Sequence, residues 1–535
     1  MNTALQTLTA TSTSDSDTTS ATVITYPYTG DYRIDVLLPS AQEKWLPDLA
    51  AGQPRTVTYS FALAEGYLSN DGYESDVMGF TPFTQAQMTA TRSILNYISS
   101  VLAITFVEVT ETASSQSPTG DIRLCNNDQD SAGYAFSPTD SDLQARGDVF
   151  LANFSIKSSY AAGSYDFDTI LHELTHALGL KHPGNYNAGS AASSDPDNYL
   201  ASSEDSKTLS VVSYIEQEQG LQRVDFAPYD LLALGYLYGL KTQNVGNSTY
   251  TWSDSIGEQM QTLIDDGGTD TIDLSRISAA SLIDLQEGHS SNVGLTGQYA
   301  STAGIAALKN VQIAYGTVIE NVKASSQADW IIGNSANNSF EGGAGNDTLD
   351  GGDGRDAAVW SGLADQYRVT ATGNGNWTVQ SLSGNEGRDQ LQNIERLHFS
   401  DHNIALDLSG NAGTTAKILG AVFGRTAVSN AQFAGIGLHY LDDLNYSYAS
   451  LMQLAINARL GTQASSAQVV DLLYTNVVGV APDAVTRKSF AELLDSGTYS
   501  VASLGMLAAE TGLNQANINL TGLAQTGMEY LPVSG

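Results

Sequence analysis

Only one cysteine, Cys125, occurs in 535 residues, so no disulfide within the chain can hold the fold. Basic residues are scarce as well. Lys and Arg number 23 against 58 Asp and Glu, and the formal charge of −35 repels nucleic acid and anionic membranes. No stretch approaches the ~20 apolar residues that a membrane-spanning helix needs. The N-terminal stretch has no Lys or Arg before Arg33 and no continuous apolar run, so a cleaved general-secretory signal is not expected. Packing and metal are then what can stabilise the chain. With 41% hydrophobic and only 15% charged residues, there is apolar material for several cores.

The texture of the sequence changes along its length. Residues 1–25 are Ser/Thr-rich and read as a flexible leader or propeptide. Residues 26–250 alternate strand-like runs (Thr56 to Ala62, Ala103 to Val109, Asp148 to Ala152) with helical ones (Phe83 to Val101, Phe167 to Leu178), which predicts a mixed α/β domain. Residues 251–410 carry short β-branched segments between Gly/Asp turns, the pattern of an all-β domain. Residues 411–535 are Ala- and Leu-rich and predict an all-α domain. Within it, Tyr446-Ser447-Tyr448-Ala449-Ser450-Leu451 returns as Tyr499-Ser500-Val501-Ala502-Ser503-Leu504, each copy after a Leu-Asp pair.

Residues 172–183 read HELTHALGLKHP. Ile170, Leu171, Leu174, Ala177 and Leu178 form one apolar helical stripe, which leaves His172 and His176, one turn apart, on another face. Two such imidazoles can grip one metal ion, with Glu173 in reach of a water held there. Gly179 can end the helix in a left-handed conformation and let the chain return with His182 as third ligand. Three neutral imidazoles leave a fourth position open, the mark of a catalytic zinc site. Chance would place these five residues together at roughly one position in ten million. The other histidines, 289, 398, 402 and 439, are scattered and read as structural.

Residues 342–350 (GGAGNDTLD) and 351–359 (GGDGRDAAV) are tandem nonapeptides of the form GGxGxDxUx, U being apolar. Gly342, Gly343, Gly345, Gly351, Gly352 and Gly354 allow turn carbonyls to converge, while Asp347 and Asp356 offer hard carboxylate oxygens suited to Ca2+. Continued backwards, the acidic position runs Asp329, Asn338, Asp347, Asp356 and the apolar one Ile331, Phe340, Leu349, Ala358. With turns on alternating edges, Asp329 should pair with Asp347 and Asn338 with Asp356. Only the first pair is fully anionic, so few calcium ions, one or two, are expected.

HExxHxxGxxHP is the metzincin signature, and the surrounding sequence resembles the serralysin family of secreted bacterial metalloproteases. Supporting segments are Gly30 to Asp35 with Leu37-Leu38, Gly133 to Ala135, Gly147 to Leu151 and Tyr229 to Leu234; the resemblance covers about residues 26–410. It implies a metzincin α/β protease domain followed by a parallel β-roll or β-sandwich, and a zinc- and calcium-dependent endopeptidase acting on protein or peptide substrates. It also implies export by a type I secretion apparatus to the extracellular medium. A monomer is expected. By the same resemblance Tyr214 is an additional zinc ligand at rest and a hydrogen-bond donor to the oxyanion during attack. The strand Gly147 to Asn153 would form the sheet edge that receives an extended peptide, and the turns at Asp266 to Asp270 and Gly384 to Asp389 match calcium positions. The family's Ser-Val-Met-Ser-Tyr turn reads Ser210-Val211-Val212-Ser213-Tyr214, with Val212 in place of methionine. Looser zinc binding with retained turnover is expected from that change. Two other readings stay open: an inactive calcium-dependent adhesion protein on a protease-like scaffold, and a dedicated processing protease whose target is chosen by residues 411–535.

Overall fold

The computed structural model describes residues 29–39, 44–65, 76–112, 119–138, 145–184, 186, 199–216, 220–254, 256, 259–294 and 309–533. The expected leader at 1–25 lies outside them. The chain divides into two compact units: one holds the residues up to 159 with 172–200 and 233–239, the other 160–171, 201–232 and 240–535.

The first unit is built on a five-stranded sheet in the order Ile104–Glu108, Arg55–Phe61, Ile122–Asn127, Val149–Ala152, Gly133–Ala135. The first four strands are parallel and the last is antiparallel. Ile122–Asn127 and Val149–Ala152 are buried throughout, as expected of strands covered on both faces. The helix Gln85–Val101 begins at a reciprocal capping box between Thr84 and Gln87 and buries Ile94, Leu95, Ile98 and Val101 on one stripe. Val149–Ala152 is paired on both sides, so it is an interior strand and the expectation that it forms the sheet edge is corrected. Gly133–Ala135 is the edge.

The second unit contains two ladders of short strands. One sheet runs Leu282–Asp284, Trp330–Ile332, Thr348–Asp350, Arg388–Gln392, all parallel, and continues into the antiparallel strands Asn376–Ser381 and Tyr367–Gly373. The other runs Thr249–Thr251, Thr271–Asp273, Asn321–Lys323, Ser339–Glu341, Ala357–Val359, Arg396–His398 in parallel, then Asn403–Ala405 and Met528–Tyr530 antiparallel. Successive nonapeptide strands therefore alternate between the sheets. Their apolar residues Ile331, Phe340, Leu349 and Ala358 all lie in one buried core.

The helical segment packs in this same unit, and its sequence repeat is a structural one. Helices Tyr448–Leu460 and Val501–Ala509 start on Ser447 and Ser500, whose hydroxyls accept from the backbone N–H of Ser450 and Ser503. Leu451 and Leu504 enter one shared core. Arg396, almost fully buried at the end of the parallel ladder, bridges Asp407 at 2.5 Å and Asp442 of the helical segment at 2.7 Å. Arg355, inside the second nonapeptide, reaches Asp443 at 3.2 Å.

Candidate metal centres

The helix Tyr165–Ala177 carries His172, Glu173 and His176, and Gly179 follows it at φ 103°. Within the first unit, three bonds fix how the chain returns. Trp45 Nε1 donates to the Ala177 carbonyl at 2.8 Å, the Tyr238 hydroxyl to the Leu178 carbonyl at 2.7 Å, and the Lys181 N–H to the Leu37 carbonyl at 2.8 Å. His182 is thereby brought back against the helix. The Nε2 atoms of His172, His176 and His182 stand 3.1, 3.0 and 3.3 Å from one another. Ligands about 2.0–2.1 Å from a tetrahedral zinc are separated by about 3.3 Å, so the three nitrogens fit one such ion. Among the described residues they are the one group of three potential ligands this close together.

The protonation chemistry agrees with that fit. His176 Nδ1 lies 2.7 Å from the Leu180 carbonyl, which makes Nδ1 the N–H and leaves the Nε2 lone pair for a metal. Burial pushes His176 down to about 4 and His182 down to about 3, so both imidazoles are neutral near pH 7. Glu173 is buried, and burial pushes its carboxyl up to about 8, into the range where it exchanges a proton near neutrality. Its neighbour is Gly133 of the edge strand: a Cβ there would stand 2.9 Å from Glu173 Cγ. Gly133 carried no chemical signal in the sequence. It was legible only as part of a resembling segment.

Tyr214 belongs to the second unit and is 45% exposed. The turn before it is held by Asp230, which accepts from the Ser210 hydroxyl and the Val211 N–H, each at 2.7 Å. Val212 is fully buried in that turn.

In the parallel ladders, carboxylates line up in two columns. The Asp329 N–H donates to Asp347 Oδ1 at 2.9 Å and the Asp347 N–H to Asp389 Oδ1 at 3.0 Å. In the second column, the Asn338 N–H donates to Asp356 Oδ1 at 2.7 Å and the Asp356 N–H to Glu395 Oε2 at 2.8 Å. The two pairs expected eighteen residues apart therefore meet. Each column also gains a member, Asp389 or Glu395, that the nine-residue period does not reach.

Asp347 Oδ2 and Asp356 Oδ2 are buried and accept no hydrogen bond. The glycine cradle is tight around them. A Cβ at Gly342 would crowd Asp347, and Cβ atoms at Gly343, Gly345, Gly352 and Gly354 would collide with the carbonyls of Ser325, Gln327, Asn334 and Ala336. Unpaired carboxylate oxygens beside converging carbonyls are a donor set that fits Ca2+. Burial, with neighbouring carboxylates adding to it, pushes Asp347 up to about 8 and Asp356 to about 7.

Asp270 has the same character: the Ser248 N–H donates to Oδ1 at 2.6 Å, and Oδ2 is buried without a partner. Its companions are Asp265 and Glu320, which accepts from the Asp270 N–H at 2.7 Å. Asp266 is exposed and accepts from the Gln243 N–H instead. Glu320 had no local motif to mark it.

Known proteins resemble part of this chain. Residues 232–427 match the family described as Peptidase M10 serralysin C terminal. The chain is 31% identical over 326 residues to a serralysin of Proteus mirabilis, covering 55% of this chain and 62% of that protein. It is 35% identical over 278 residues to serralysin C of Dickeya chrysanthemi, covering 48% and 54%. To the metalloprotease AprA of Pseudomonas entomophila (strain L48) it is 28% identical over 294 residues, covering 50% and 57%. The chain thus spans less than two thirds of the relatives it matches, with homology over about half its own length. The family match begins after the three histidines, so their assignment rests on their own geometry.

Proposed function

We propose that this chain is a secreted zinc-dependent endopeptidase that hydrolyses internal peptide bonds of extracellular proteins. The observation that carries the reading is the convergence of three imidazole nitrogens beside a buried glutamate. His172, His176 and His182 would hold the ion, which when bound supplies an activated water and a polarised carbonyl. Glu173, as the carboxylate, takes a proton from the attacking water and passes it to the leaving amine. By alternation with the paired residues, Gly133 and Ala135 turn their backbone groups away from the sheet, so an extended peptide can add there as a further strand. Main-chain recognition of that kind favours broad sequence specificity. Tyr214, by resemblance, donates to the oxyanion.

The parallel ladders would bind calcium through Asp347, Asp356 and Asp270, with Asp329, Asp389, Glu395 and Glu320 beside them. Calcium then draws together a chain whose acidic excess keeps it loose, which suits type I export before folding outside the cell. Casein hydrolysis by wild type and Glu173→Ala, with zinc content measured on both, tests the reading. We expect one zinc per chain in each and turnover only in the wild type. Equal, negligible turnover in a zinc-loaded wild type would favour the adhesion-protein reading.

A further inference from the structure

The outer face of the six-stranded sheet is unlike the rest of this acidic molecule. Its inward residues, Ile331, Leu349, Leu391, Trp377 and Val379, fill the core. The alternate residues point outward and include Thr348, Gln390, Gln392, Asn376 and Thr378, with Arg368 and Arg388 among them. Several of these line a concave cavity of about 540 Å³. Both arginines are exposed, and among the described residues neither guanidinium has an ion pair or a hydrogen bond. Two uncompensated cations on one face are out of keeping with a chain of formal charge −35.

Register fixes their spacing. Arg388 pairs with Gln380, which pairs with Arg368, so the two guanidiniums arise two strands apart, roughly 9–10 Å. Hydroxyl and amide side chains fill the neighbouring row, where Gln390 lies opposite Thr348 and Thr348 opposite Trp330. Trp330 is 46% exposed, an apolar ring on an otherwise polar surface.

We propose that this face binds an anionic polysaccharide carrying a carboxylate on every second sugar. The two arginines would take successive carboxylates bidentately, the amides and hydroxyls the sugar hydroxyls, and Trp330 the face of a ring. An extended acidic peptide, whose side chains recur at about 6.8 Å along one face, matches the spacing of the two strands less closely.

The test is affinity electrophoresis and calorimetry of the full chain with hyaluronan oligosaccharides at fixed calcium. We expect binding that weakens with salt, at least a tenfold loss in Arg368→Gln/Arg388→Gln, and a clear loss in Trp330→Ala, while hydrolysis of a soluble peptide is unchanged in Arg368→Gln. Arg368→Gln alone, outside the Gly384 to Asp389 turn that holds Arg388, should also weaken binding and guards against loss of fold in the double variant. Absence of binding, equal affinity in the variants, or equally tight binding of poly-glutamate overturns the proposal.

Discussion

Gly133 leaves Glu173 just enough room: a Cβ at position 133 would stand 2.9 Å from Glu173 Cγ and 3.0 Å from Oε1. The edge strand and the proposed general base are therefore in direct contact. A shift of one moves the other.

Gly133→Ala should displace the carboxyl and lower kcat by about 10–100-fold, since displacements of about 1 Å in a catalytic constellation cost on that order. Zinc content and thermal stability should stay close to wild type. Steady-state kinetics with metal analysis decides it, and unchanged kcat would show that the edge strand does not set the position of the Glu173 carboxyl.

His182→Ala deletes the third proposed ligand, which the turn at Gly179 delivers. We expect zinc content to fall well below one per chain at the same total zinc, with activity falling in proportion. Full zinc retention would mean that His172 and His176 bind it with some other partner.

The buried aspartates predict how the metal-free protein responds to pH. Folded values of about 8 for Asp347, about 7 for Asp356 and about 6 for Asp389 exceed the ordinary value near 3.9. The folded state thus holds protons that the unfolded chain has released. The stability these groups contribute is complete below about pH 4 and is lost as pH rises toward 8. Calcium favours the carboxylates and should reverse that slope, with protons released on binding at pH 7. Calcium-free melting curves at pH 5 and pH 8, and a pH-stat titration with calcium, check both signs. A metal-free melting temperature that rises from pH 5 to pH 8, with no proton release, contradicts the assignment.

Arg396 joins the parallel ladder to the helical segment through Asp442. Asp442→Ala should cost about 2–3 kcal/mol, less than the 3–5 typical of breaking a buried pair, because Asp407 still faces Arg396. Hydrogen exchange should show faster opening of helices Ala431–Asp442 and Tyr448–Leu460. Unaltered protection there would show that core packing alone secures the segment.

Motifs confined to one stretch of chain were legible from residues alone. HELTHALGLKHP places two imidazoles on one helical turn and the third just past a glycine, so helix geometry by itself nearly assembles the triad. The nonapeptides likewise encode their own turns, and Ile331, Phe340, Leu349 and Ala358 went inward as their period predicts. The sheet edge was not legible. Strand order is a non-local choice, and nothing in Val149–Ala152 or Gly133–Ala135 states which is covered. Glu395 and Asp389 escaped the period because the hairpin formed by Tyr367–Gly373 and Asn376–Ser381 interrupts it before the columns resume.

Sequence alone set the chemical groups: three imidazoles, one glutamate, and carboxylates at glycine turns, each tied to its neighbours by local backbone geometry. Tertiary structure decided which of those groups are left without partners and which strand borders Glu173. Both depend on segments far apart in the chain being packed together and stripped of water.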